Sequence, residues 1–231
     1  MAIYAISDLH LSLSMDKPMD VFGSSWAGYM DKIKNNWEEK INSDDFVIIP
    51  GDISWATYIE QAYEDFRFIE SLPGKKMIFK GNHDYWWTTM SKLDKYVESN
   101  GFSTINFLHN NSFDFGEMVL CGTRGWKCPG EDGITSEDVK IFEREVQRLD
   151  LSLSDGSKSG KDIIAALHYP PFNARKEPTK IVDILKKYPV KTCVYGHLHG
   201  ESSKNAFRGE YSGISFELVS ADFINFDPVK L

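Results

Sequence analysis

Five of the six histidines in this 231-residue chain stand beside aspartate, asparagine, glycine or proline, each just after a short apolar run. The clusters are Asp8-Leu9-His10, Gly51-Asp52, Gly81-Asn82-His83-Asp84, His168 (followed by Tyr-Pro-Pro) and Gly196-His197-Leu198-His199. Only His109 stands apart, in a Leu-His-Asn-Asn stretch that reads as a turn. Carboxylate and imidazole donors together suit borderline divalent ions such as Mn, Fe or Zn. In D-x-H and H-x-H, residues two apart on extended backbone point the same way, so both side chains of a pair can reach one site. The glycines allow sharp turns and close backbone approach. Alone, each of these residues would pass as a cap or a turn former; five such clusters in order do not.

The elements that must carry them follow from the apolar pattern. Residues 2–6 (AIYAI), 46–50 (FVIIP), 77–80 (MIFK), 162–167 (DIIAAL) and 192–195 (TCVY) read as buried strands, each stopping at one of the clusters. Between them, Ile59, Ala62, Phe66 and Ile69 recur at helical spacing and predict an amphipathic helix over 57–71. Val139, Phe142, Val146 and Leu149 predict another, opened by Thr135 with Asp138 three residues on as a capping box. Residues 179–188, ended by Pro189, predict a third. Strands are expected at 203–208, 212–218 and 223–226, and a surface loop at 154–161 (SDGSKSGK). Tyr85, Trp86 and Trp87 are expected to pack the next helix onto its sheet. Strand–helix alternation with polar clusters at strand ends is α/β logic, with ligands bound beyond the carboxyl ends of the strands. With no internal repeat and no clear boundary, residues 1–231 read as a single domain.

The ordered set D-x-H, GD, GNHD, H and GHxH resembles the calcineurin-like metallophosphoesterases, over most of the chain from Asp8 to His199. The resemblance implies a four-layer αββα sandwich: two mixed sheets with helices on the outer sides and a metal site at the carboxyl ends of the strands. It implies two divalent ions, Mn²⁺ first, with Fe, Zn or Co as alternatives. Asp8, His10 and His199 would hold one ion, Asn82, His168 and His197 the other, and Asp52 would bridge both. His83 would sit beside the scissile phosphate without being a ligand, oriented by Asp84. The chemistry is self-consistent. Two dications outweigh two aspartates, and the excess binds a phosphate and lowers the pKa of a bridging water. Many members of this family carry an arginine shortly after GD that touches the phosphate; here Ile53-Ser54-Trp55 follows, leaving Arg124 and Arg175 as substitutes.

Composition sets the outer bounds. Hydrophobic residues at 42% and charged residues at 26% describe a globular chain. A net charge of −8 argues against duplex nucleic acid and anionic membranes as partners. Three cysteines make no disulfide framework, and neither a signal peptide nor a membrane span is read, so a cytoplasmic setting is expected. The expected substrate is a small phosphorylated molecule: a nucleotide, another phosphomonoester or a phosphopeptide. Three other readings stay open: a metal-binding scaffold without turnover, a nuclease, and a hydrolase of lipid-linked pyrophosphates. Residues 11–30 and 121–135 are the expected specificity loops.

Overall fold

The computed structural model describes residues 1–15 and 17–231; Asp16, inside the expected 11–30 specificity loop, lies outside the described residues. In chain order the elements are β1 (Ile3–Ala5), α1 (Tyr29–Lys40), β2 (Phe46–Ile49), α2 (Tyr63–Ser71), β3 (Lys75–Ile78), α3 (Met90–Asn100), β4 (Ile105–Phe107), β5 (Phe113–Asp114), β6 (Met118–Thr123), α4 (Ser136–Ser157), β7 (Asp162–Leu167), α5 (Lys180–Leu185), β8 (Val190–Tyr195), β9 (Gly209–Tyr211), β10 (Ile214–Leu218) and β11 (Val229–Lys230). The expected class holds: an α/β fold with two mixed sheets flanked by helices. The chain divides into two compact units, 1–107 with 219–231, and 108–218.

The first unit carries the five-stranded sheet, ordered β11-β1-β2-β3-β4, parallel except for β11. All four residues of β2 are buried, as a parallel strand covered on both faces requires. Trp37, Phe66 and Trp86 anchor its apolar core with Ile33, Val47 and Ile49. The second unit carries the six-stranded sheet, ordered β5-β6-β7-β8-β10-β9, with antiparallel pairs only at its two edges. Its long helix α4 buries Phe142, Val146, Leu149 and Leu153, and starts at the Thr135 cap, whose oxygen accepts from Asp138 N at 3.1 Å.

Several expectations are corrected here. The helix expected over 57–71 forms, but its first turn is a 3-10 turn, Ile59–Ala62. Residues 154–157 continue α4 instead of forming a loop, because Gly156 is buried against Cys121. A Cβ at Gly156 would lie 2.3 Å from the Cys121 sulfur, so the glycine is a packing residue and no helix breaker. Residues 203–205 belong to a 3-10 turn (Gly200–Asn205) and 206–208 are irregular, while 223–226 are turn rather than strand. Of the three aromatics after Asp84, Trp86 is buried in the core and Tyr85 is 64% exposed.

Candidate metal centre

In the first unit, the loops after β1 and β2 are zipped together by main-chain bonds beyond the strands: Asp8 N to Gly51 O at 3.0 Å, His10 N to Asp52 O at 3.0 Å, and Leu11 N to Ile53 O at 2.9 Å. This zipper forces Asp8, His10 and Asp52 to positive φ, at 61°, 47° and 54°. The extended backbone expected for D-x-H is therefore not what aims these side chains. Left-handed conformations cost non-glycine residues about 1–3 kcal/mol each and concentrate at functional sites. Asp8, His10 and Asp52 are all buried. Ligand atoms of Asp8 come within 4.8 Å of those of His10 and of Asp52, and His10 Nε2 stands 3.8 Å from Asp52 Oδ2.

The loop after β3 closes on Asp52 from another side. His83 N donates to Asp52 Oδ1 at 2.8 Å. Gly51 and Gly81 make this approach possible: a Cβ on Gly81 would lie 2.0 Å from Asp52 Oδ1, and one on Gly51 2.5 Å from Gly81 N. Asp84 is fully buried. Its Oδ2 accepts from Asp52 N at 2.9 Å and Gly81 N at 2.7 Å. Its Oδ1 accepts from Ile53 N at 2.8 Å, Ser54 N at 3.4 Å and the Trp86 indole at 3.1 Å. Asp84 spends its oxygens locking the GD loop to the GNHD loop. Burial pushes its carboxyl up to about 6, while the N–H donors pull the other way.

Three supporting groups carried no sequence signal. Ser220 Oγ donates to Asp8 Oδ2 at 3.0 Å from far along the chain. Asp65 on α2 takes the Ser54 hydroxyl and Leu13 N. The Tyr29 hydroxyl donates to His10 O at 3.0 Å. Trp55 occupies the place near the expected arginine. Its ring stacks on His10 at 4.9 Å and lies 4.4 Å from that of His83, and the Lys17 ammonium sits 2.9 Å over the same indole.

In the second unit, His168 is buried at the end of β7, its N–H donating to Arg124 O at 3.0 Å. His197 follows β8 at φ 73°, its ring 5.1 Å from that of His168 and 4.2 Å from that of Tyr169. His199 is half-buried and caps the 3-10 turn Gly200–Asn205, with its N–H donating to Ser202 Oγ at 3.0 Å. Of the two proposed phosphate arginines, Arg124 is not placed as a free cation. Arg124 pairs with buried Glu145 at 3.4 Å and lies 4.3 Å over Trp126. Arg175 is exposed on a turn, its N–H held by Asn173. Part of the expected 121–135 specificity loop, together with Tyr169, Phe172 and His197, lines a cavity of 310 Å³ in this unit. His109 is exposed, as its turn context requires.

Whether these residues fit divalent ions can be judged from Asp8 and Asp52. Two buried carboxylates within 4.8 Å repel. At an effective dielectric near 20, two unit charges at that separation cost about 3 kcal/mol. A dication beside them reverses the sign of that term. With the His10 imidazole they make a hard-to-borderline donor set. The residues fit.

The sequence model of the calcineurin-like phosphoesterases matches residues 1–201, and the chain belongs to that family. No curated protein matches the sequence. Among solved structures, the chain is similar to a phosphopantetheinyl hydrolase (PptH) from Mycobacterium tuberculosis, at 14% identity and TM-score 0.59, covering 100% of this chain and 95% of that one. It is also similar to a protein of unknown function, AQ665, from Aquifex aeolicus, at 17% identity and TM-score 0.52, covering 99% and 95%. At these identities the likeness is one of fold.

Proposed function

We propose that this chain hydrolyses phosphate monoesters or diesters of small molecules with two divalent ions, Mn²⁺ first. Asp8, His10 and His199 would hold one ion, Asn82, His168 and His197 the other, with Asp52 shared. When bound, the ions supply Lewis acidity toward a phosphoryl oxygen and hydroxide near neutral pH. The observation that carries this reading is the buried Asp8–Asp52 pair with His83 bound to Asp52 through its main chain. That arrangement sets a titratable imidazole beside a cation-demanding pocket while its ring stays directed to other work.

The chain's own groups then divide the labour. His83, protonated, donates to the leaving oxygen or to the phosphoryl charge. Trp55 forms a wall against its ring and that of His10, and Lys17 over that indole supplies the positive charge that the missing arginine would bring. Asp84 holds the GD and GNHD loops in register. A cytoplasmic setting suits the three free cysteines. Among the described residues, no helix is long and apolar enough to cross a membrane.

The test is turnover by metal-stripped protein against a panel of phosphomonoesters, cyclic nucleotides and phosphopeptides, before and after adding Mn²⁺. Activity that vanishes with chelation and returns with Mn²⁺ supports the reading. Full activity after exhaustive metal removal, or no turnover of any ester by metal-loaded protein, rejects it.

A further inference from the structure

The first unit holds a second feature, a groove of 750 Å³ that none of the candidate ligands lines. It lies between the turn before α2 and the length of α3. Tyr58 and Tyr85 stand on it 65% and 64% exposed, and Trp87 is half-buried in its wall. Exposed aromatic side chains gathered on one groove, unlike ones scattered singly, mark a binding surface. Lys92 and Lys95, one turn apart on α3, also line it, and among the described residues neither makes an ion pair. Glu60 is the single carboxylate on its lining. The hydroxyl of Tyr96, another lining residue, is buried with no hydrogen-bond partner.

The groove begins where the candidate centre ends. Tyr85 follows Asp84 directly, and its ring is edge-on to His83 at 6.3 Å. Trp86 lines the groove and also donates to Asp84. Tyr85 thus joins the groove to the candidate centre, and Trp87, Lys92 and Lys95 continue its lining. Its size falls within the usual range of small-molecule sites. Exposed aromatic faces take planar rings, and a lysine takes a phosphate as a point charge. In a chain of net charge −8, two lysines outside any ion pair at one groove mark it for an anion.

We propose that this groove is the leaving-group subsite and takes a nucleotide bearing a phosphate besides the one cleaved. The proposal rests on the hydrolase reading above, and its test separates the two. The probe is adenosine 5′-monophosphate, the leaving group of adenosine 3′,5′-bisphosphate. Its binding to Mn²⁺-loaded protein is followed by tryptophan fluorescence, which needs no turnover. Tyr85→Ala and the double change Lys92→Glu with Lys95→Glu should each weaken that binding at least tenfold. Lys34→Glu, an exposed charge reversal on α1, should not. In kinetics, KM for the bisphosphate should rise about ten times more than KM for nitrophenyl phosphate. Failure of wild-type protein to bind the probe, or equal affinity in all variants, overturns the proposal. If no ester is turned over but the probe still binds and responds to the variants, the subsite stands and the hydrolase reading falls.

Discussion

Asp84→Asn should cost both stability and metal, although Asp84 is no proposed ligand. The carboxylate faces five N–H donors, two on Oδ2 and three on Oδ1. An amide keeps one acceptor oxygen and turns an NH₂ toward the other set. In its better orientation it still confronts Asp52 N and Gly81 N with a donor. Each buried N–H left unsatisfied costs about 1–3 kcal/mol, so the change should destabilise the fold by about 2–6 kcal/mol. For a chain of this size a Tm shift of about 2–4 °C accompanies each kcal/mol, which predicts a fall of roughly 4–24 °C. Because the bonds broken hold the Asp52 loop against Gly81, Asp52 should lose its aim and Mn²⁺ should bind more weakly. Thermal unfolding by circular dichroism and metal content after gel filtration measure the two effects. A variant that unfolds within 2 °C of wild type and keeps its full metal would show that the five-donor lock does not set the site.

Other outcomes follow from the same geometry. His83→Ala should keep both ions, since its hydrogen bond to Asp52 is through the main chain, and should lose about 10²–10⁴ in kcat. Alkyl phosphates should suffer more than nitrophenyl phosphates, because a nitrophenolate leaves without a proton; equal losses would remove the general-acid role. Lys17→Met should weaken competitive inhibition by inorganic phosphate, about tenfold, with Lys17→Arg recovering most of it; an unchanged inhibition constant would leave Lys17 as a packing group on Trp55. Lys76 is buried and desolvation brings its ammonium down to about 8 from the ordinary 10.5. A depressed folded pKa means the unfolded chain binds more protons between these values, so wild-type stability should rise between about pH 8 and 10.5 by about 3 kcal/mol relative to Lys76→Met. Urea midpoints at pH 7.5 and 10 measure it, and parallel profiles would refute the burial argument.

What could be read from the sequence is what local chemistry encodes. Apolar runs of four to six residues ending in Asp, Gly and His placed the strands and the clusters at their ends, because a parallel strand buried on both faces needs continuous apolar residues. The Thr135–Asp138 box marked the start of α4 because capping is settled within one turn. Other features had no local signature. The left-handed Asp8, His10 and Asp52 follow from two loops hydrogen-bonded to each other, and D-x-H alone suggested the opposite conformation. Ser220 reaches Asp8 across 212 positions. Gly156, in a stretch that reads as a loop breaker, lies within α4, where Cys121 leaves room for no side chain and so requires glycine. Asp84 reads as a partner for its neighbour His83, and nothing local tells that it also accepts from donors some thirty residues away. A motif determines which donor atoms are available. Where they point depends on main-chain bonds between segments distant in the chain, and those exist only once the sheets have formed.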